Sequence, residues 1–417
     1  MKIIHISDLH FGKVIHGVSL LENGDQPDWT DKFLALAADI RPDAVVIAGD
    51  VYDRSSPSGE AVTLLSRLLV ELEALGICVM LVAGNHDSGA RLAFAREILA
   101  RQNIHIAGRH AKRMDCVTLH DTFGPVHFWM MPYVFPASVA QLLGDADIHD
   151  YDTAVRRWIA EQDICPDERN VIIAHQNVTV NGKEGLRGGS ESTVGGVGQV
   201  GYTAFDCFDY AALGHIHAAY PVGRETVRYA GSPLCYHFDE TVQPAKGPLL
   251  VEMGEKGDDL SVTTLHLPPL HPMRVLKGET EALYEQLLSD GTSSEYWKLV
   301  ITDQPLTPEI SDRFQALAES RECILMERHS EYRRFTEIAH APDNTAMREK
   351  SVEELFVDFY AERGGGQMPD ALDIDLLHFA GELLRNHPAD TDKPCEVDNC
   401  LKNRLIQYLM SQEASNT

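Results

Sequence analysis

Five short polar constellations restrict this sequence more than any other feature in it. They are Asp8-Leu9-His10, Gly49-Asp50-Val51-Tyr52-Asp53, Gly84-Asn85-His86-Asp87, His175 within Ile173-Ala174-His175-Gln176, and Gly214-His215-Ile216-His217. Four of the five directly follow an apolar run. Groups this far apart in sequence can gather at the carboxyl ends of neighbouring strands, where separate segments of an open α/β sheet converge. Residues 2–7, 44–48 and 78–83 read as buried strands. Residues 29–40, 59–75 and 88–101 carry apolar positions at helical spacing, the last with Ser88 as its cap. Strand, helix, strand in succession builds a sheet with helices packed on it. From about Cys116 strands and turns take over, at 126–131, 170–174, 210–213, 227–230 and 248–253. The expected architecture is therefore two sheets face to face with helices outside. In Asp8-x-His10 and His215-x-His217 the spacing of two leaves both side chains on one side of an extended backbone.

The residue types point to metal chemistry. Asp oxygen, Asn amide oxygen and His imidazole together suit borderline divalent ions such as manganese, iron or zinc, with manganese the first choice. Asp50, in a tight turn made possible by Gly49, is the natural carboxylate to bridge two ions. Two ions about 3.5 to 4 Å apart can polarise a phosphate, activate a water and stabilise the leaving oxygen. Charge makes such a cluster necessary for any phosphate substrate. The 36 Lys+Arg against 63 Asp+Glu give a formal charge of −27, the reverse of the balance that lets side chains alone hold a phosphate backbone. Taken singly, a G-D-x-x-D or an N-H-D is ordinary turn chemistry and His175 an ordinary core histidine; together they form a site.

The remainder organises around this core. A proline-dense stretch at residues 265–272 ends regular structure and marks the close of the first domain. Residues 279–289 and 308–319 then read as helices, and 296–301 and 323–328 as strands, giving a small α+β unit. Beyond Asn344 the chain is acidic, with helical patterns at 352–362, 372–385 and 397–410 that are too short to be stable alone. The eight cysteines include no C-x-x-C pair, and Cys395 with Cys400 lacks a matching second pair, so neither a disulfide framework nor a zinc cluster is expected. The absence of a basic leader or long apolar run suggests a reducing, cytoplasmic location. Gly196-Val197-Gly198-Gln199-Val200-Gly201 fits G-x-G-x-x-G but lacks the strand before it and the helix within it that dinucleotide binding requires, so it reads as a flexible loop. Lys183 and Arg187 in the same region read either as contacts to a phosphate backbone or as plain surface loop. Arg333-Arg334, flanked by aromatics, reads as a DNA contact or a solvated turn.

The five constellations, in this order, resemble the signature of the calcineurin-like metallophosphoesterase superfamily. The stretches at residues 1–13, 83–88, 208–217 and 229–234 are similar, more narrowly, to the SbcD branch of the Mre-type DNA repair nucleases. The resemblance implies a four-layer α/β/β/α sandwich over residues 1–268, a small α+β capping domain that helps select DNA at 269–340, and a C-terminal helical region at 341–417. It implies Asp8, His10, Asp50 and His217 around one metal, and Asp50, Asn85, His175 and His215 around the other. His86 would steer the scissile phosphate and protonate or stabilise the leaving oxygen, with Asp87 nearby to orient it. Asp53 stands where archaeal and eukaryotic relatives carry a second histidine, a difference that places it behind the ligands. The implied activity is a manganese-dependent exonuclease and endonuclease on DNA ends and hairpins. The implied partners are an SbcC-type SMC-like ATPase bound by the C-terminal helices and a second copy of the chain, paired through helices near residues 58–101. A phosphatase or cyclic-nucleotide phosphodiesterase, and a metal-free scaffold, are the rival readings.

Overall fold

Unbroken apolar runs form parallel strands buried on both faces, which is why they show no alternation in sequence. The computed structural model describes residues 1–180, 182, 198–242 and 246–332. Lys183, Arg187, Arg333, Arg334, Cys395, Cys400, the three C-terminal helical patterns and residues 333–340 lie outside the described residues.

The strands Lys2–Ile6, Ala44–Ala48, Cys78–Val82 and Ile104–Ala107 pair in parallel, with Leu249–Glu252 and Ser261–Thr264 added antiparallel beyond Lys2–Ile6. A second sheet carries Gly124–Met131, Arg169–His175, Tyr210–Gly214 and Arg224–Tyr229 in parallel, bounded by Asp115–Asp121 and Pro221–Val222. Successive side chains of a strand face opposite ways. Ile4, Ile6, Val45, Ile47, Val79 and Leu81 therefore pack beneath the helices Asp25–Ile40 and Gly59–Ala74. The intervening residues Ile3, Val46, Met80 and Val82 meet Phe128, Met130, Val171 and Ile173 of the other sheet. The far face of that sheet, with Trp129, Ile172 and Leu213, takes Val139 of the helix Pro136–Leu143 and Val155 and Trp158 of the helix Tyr151–Ala160. Each fully buried Val, Leu or Ile contributes roughly 1.5–3 kcal/mol, so these three apolar clusters fix how the sheets and helices stack.

Three local expectations need correcting. The first helix begins at Asp25, earlier than residue 29, because Asp25 and Gln26 are buried for polar reasons that apolar spacing does not register. Gln26 donates to the His10 and Leu9 carbonyls and accepts from the Gly12 amide, bracing the first constellation. The run 88–101 is broken into Gly89–Leu92, Arg96–Leu99 and the turn Ala100–Gln102, since Ala95 takes a left-handed φ of 56° and the Ser88 side chain makes no cap. The expected flexible loop holds a short strand, Gln199–Gly201, paired in parallel with Asn177–Thr179 around the buried Val178 and Val200.

No helix or strand lies between Thr264 and Met273. Beyond that gap, Met273–Gly278, Tyr296–Ile301 and Ile324–Ser330 form a parallel three-stranded sheet, crossed by the helices Thr280–Ser289 and Pro308–Glu319. This unit has its own apolar cluster around Trp297, Leu299 and Phe314. Its base rests on the Asp25 turn. The buried Tyr296 hydroxyl donates to the Asp25 carboxylate and accepts from Asn23 Nδ2 at 2.6 Å, while His271 Nδ1 lies 2.9 Å from Asp25 Oδ1.

Candidate metal centre

The carboxyl ends of both parallel sheets open on the same edge, and all five constellations are there. The sheets approach so closely that a Cβ on Gly214 would fall 1.9 Å from the Ala48 carbonyl oxygen, and within the first sheet one on Gly84 would fall 2.1 Å from Asp50 Oδ1. Only glycine fits either position. Asp8, His10 and His217 bring one ligand atom each to within 4.8 Å of one another, as do Asp8, Asp50 and His175, and His10, Asp53 and His86. Asn85 Oδ1 completes the arrangement, 3.0 Å from both His175 Nε2 and His215 Nδ1. All seven expected ligands therefore converge, although not on extended backbone. Asp8, His10, Asp50 and His215 adopt positive φ values of 54°, 42°, 49° and 103°. The Asp8 and His10 amides donate to the Gly49 and Asp50 carbonyls at 3.0 Å, a pairing that helps hold backbone whose left-handed strain is about 1–3 kcal/mol per residue.

Hydrogen bonding and charge both call for cations between these groups. His175 Nδ1 donates to the Ala48 carbonyl at 2.8 Å, so in the neutral ring the Nε2 lone pair faces Asn85 Oδ1 at 3.0 Å and Asp50 Oδ2 at 3.2 Å. Acceptor against acceptor repels unless a positive charge intervenes. Both ring nitrogens of the buried His10 lack a hydrogen-bond partner, with Asp50 Oδ2 at 3.7 Å from Nε2 and Asp53 Oδ1 at 3.6 Å from Nδ1. Such orphaned buried groups cost free energy unless something coordinates them. Burial lowers the imidazoles of His10 to about 4 and His215 to about 3, leaving lone pairs free to ligate. Burial pushes the Asp8 carboxyl up to about 6 against the pull of His175 and His217. Burial works against the charged form of His175 too, but Asp50 raises it to about 9. Asp50 in turn, although burial acts to raise it, is held by His175 well below the usual carboxylate range. A proton on His175 thus stands in for the cation. The side chains present fit divalent metal.

His86 lies at the open side with its side chain 42% exposed, its Nδ1 donating to the Asp53 carbonyl at 3.0 Å and its Nε2 4.0 Å from Asp50 Oδ2. Asp87 is placed differently from an orienting partner. Its carboxylate accepts from the Val51, Tyr52 and Gly84 amides, tying the second constellation to the third. Burial and the charge of Asp50 push it up to about 6. The Asp53 carboxylate meets Lys13 Nζ at 2.8 Å, and that contact with His10 holds it at about 2 although burial works to raise it.

Sequence reasoning missed the support behind the site. Tyr236 donates to the Asp8 and Leu9 carbonyls at 3.1 and 2.8 Å and packs edge-on to His10 and His217. Glu240, fully buried, reaches His217 Nδ1 at 3.4 Å and pairs with Lys246 at 2.8 Å. A carboxylate behind a histidine fixes its tautomer and raises its basicity, and loss of such a partner typically weakens metal binding by about 10- to 100-fold. Glu240→Gln is accordingly expected to raise the manganese dissociation constant by about tenfold or more with the fold retained, as read by electron paramagnetic resonance titration of free Mn²⁺. Only the Gly231-Ser232-Pro233 turn, just upstream, hinted at this segment.

Residues 1–219 match the calcineurin-like phosphoesterase family, and residues 269–363 match the type 5 capsule protein repressor C-terminal domain. Over 294 residues the chain is 35% identical to the SbcD component of the nuclease SbcCD from Staphylococcus saprophyticus, a match covering 69% of this chain and 74% of that protein. It is 29% identical over 304 residues to the SbcD component of the same nuclease from Staphylococcus epidermidis, covering 73% and 79%. The matched stretch of residues 1–219 contains every constellation of the site and more than half of the sequence. The chain belongs to the calcineurin-like phosphoesterase family, on the SbcD branch represented by these two relatives.

Proposed function

We propose that this chain is a manganese-dependent DNA nuclease, a 3′–5′ double-strand exonuclease and a single-strand and hairpin endonuclease that forms the nuclease component of a DNA end-processing complex. The observation that carries this reading is the orphaned, buried His10 ring between Asp50 and Asp53, flanked by the other expected ligands. Asp8, His10, Asp50 and His217 would hold one divalent ion, and Asp50, Asn85, His175 and His215 the other. Bound there, the two ions supply the positive charge and the water activation that phosphodiester hydrolysis needs in so acidic a chain. His86 offers Nε2 to the departing 3′ oxygen, held in that orientation by the Asp53 carbonyl. Asp53 and Lys13 brace the His10 loop from behind, and Asp87 keeps the loops bearing Asp50 and His86 together.

The division into a nuclease domain at 1–268, a DNA-selecting cap at 269–340 and an ATPase-docking region at 341–417 belongs to the same proposal. So do Lys183, Arg187, Arg333 and Arg334 as DNA contacts, an SbcC-type SMC-like ATPase as partner, and action in the cytoplasm on nucleoid DNA. Pairing of two copies through the region 58–101 is supported by its exposed apolar side chains, Val62 at 45%, Val70 at 59%, Phe94 at 81% and Ile98 at 65%. The decisive experiment incubates the full chain with end-labelled duplex, hairpin DNA and a small aryl phosphodiester, with manganese, magnesium or a chelator. Manganese-dependent DNA cleavage that the chelator abolishes is expected. Hydrolysis of the small ester alone would make the protein a phosphatase or small-molecule phosphodiesterase instead.

A further inference from the structure

A row of aromatic rings leads away from the metal centre on the side of His215. The Tyr133 ring lies 6.1 Å from His215 and 6.2 Å from His175, centroid to centroid, and 4.9 Å from Phe135 and 6.1 Å from Tyr151. Its position is firm. Tyr133 follows the strand Gly124–Met131, and its amide donates to the Ala83 carbonyl at 2.8 Å, bridging the two sheets beside Asn85. The row also opens to solvent: Asn85 and His86 are exposed, Tyr133 and Tyr151 are half-buried, and Phe135 is 48% exposed.

Phe135 departs from local rules as well. It occupies the N-cap of the helix Pro136–Leu143 and makes no side-chain cap, at a position where Ser, Thr, Asp or Asn would satisfy the first helical amides. An exposed ring there costs solvation and capping together, and such local violations concentrate at functional positions.

We propose that Tyr133, Phe135 and Tyr151 form a stacking ledge for the unpaired base next to the phosphodiester seated at the metal centre. This inference rests on the nuclease reading above. The base of a nucleotide hangs from the sugar beside its phosphate, so rings adjoining His215 stand within reach of a base next to a phosphodiester seated there. Aromatic faces hold single-stranded bases without regard to sequence and without using charge, which suits a chain of net charge −27. In a duplex the base faces are covered by their neighbours, so the ledge selects ends that have frayed or hairpin tips that have opened.

The test compares the wild-type full chain with Phe135→Leu and Phe135→Trp on three substrates in manganese: a single-stranded oligonucleotide, the same strand with one abasic nucleotide beside the cleaved bond, and a small aryl phosphodiester. Loss of one base–aromatic contact is expected to lower kcat/KM of Phe135→Leu on the intact strand by about tenfold relative to its rate on the small ester. Wild type should lose a similar factor on the abasic strand, Phe135→Leu should lose little more, and Phe135→Trp should restore cleavage. Equal losses by Phe135→Leu on the strand and the small ester, or cleavage of the intact strand at the wild-type rate, would overturn the ledge. Wild-type protein that hydrolyses the small ester and cuts no DNA would instead overturn the nuclease reading itself.

Discussion

His86→Ala is expected to lower manganese-dependent DNA cleavage by about 10²- to 10⁴-fold while manganese content and DNA affinity stay at wild-type levels. The magnitude is that of a single positioned proton donor. The separation of binding from chemistry follows from geometry. The His86 ring is 42% exposed and stands 4.0 Å from the nearest carboxylate oxygen, whereas Asp8, His10, Asp50 and His175 are buried and interlocked. Its backbone amide, which donates to Asp50 Oδ1 at 2.9 Å, survives the substitution, so the Asp50 carboxylate keeps its orientation. His10, Asp53 and His86 also lie close enough to share an ion, and this gives the experiment its second edge. If His86→Ala loses metal by elemental analysis, the ring is a ligand. If it cuts DNA near the wild-type rate, the ring has no part in the chemistry. His86→Gln, which keeps a polar group but offers no proton at neutral pH, should fail almost as completely as alanine.

The convergence of the seven expected ligands was legible in the sequence because metal chemistry demands particular residue types, and parallel strands deliver such residues at fixed points of the chain. Gly49 was legible as a turn former, but the tighter role of Gly49 and Gly214, admitting His175 and Ala48 into close contact, depends on how two sheets meet. The left-handed backbone at Asp8, His10, Asp50 and His215 could not be read, since it is set by hydrogen bonds between the loops themselves. Nor could Tyr236, Glu240 and Lys246, which reach the site from a segment without periodicity, close in space only because Leu249–Glu252 returns beside Lys2–Ile6. Gln26 was hidden for the opposite reason: a polar side chain in the first turn of an amphipathic helix ordinarily faces solvent, and here it is 2% exposed. Buried polar groups outside the motifs are thus the part of this site that pattern alone does not give.

Asp50→Asn is expected to abolish cleavage and, more tellingly, to uncouple manganese from stability. In the wild-type protein an ion bound to the folded state alone stabilises it by about 2.7 kcal/mol when present at about 100 times its dissociation constant. For a chain of this size that should appear as an upward shift in Tm of several degrees. Asp50 Oδ2 faces His10, His86 and His175 at 3.7, 4.0 and 3.2 Å, so this one oxygen reaches expected ligands of both halves of the cluster. An amide at this position carries no negative charge, and the Tm of the variant should respond little to manganese. The same residue sets how metal affinity varies with pH. Asp50 raises His175 to about 9 against the effect of burial, so at neutral pH the metal-free ring carries a proton that an incoming ion must displace. Manganese affinity of the wild-type protein should therefore rise with pH up to about 9, by close to tenfold per unit where one proton is released, and then level off. Linkage gives the stability of the metal-free form the opposite sign. A raised histidine contributes fully below its unfolded value of about 6.5 and loses its contribution as pH climbs through about 9. Calorimetric unfolding with and without manganese at pH 6, 7.5 and 9 measures both trends. A manganese shift in Asp50→Asn as large as in wild type, or a wild-type affinity that falls with pH, would mean that Asp50 and His175 do not hold the ion.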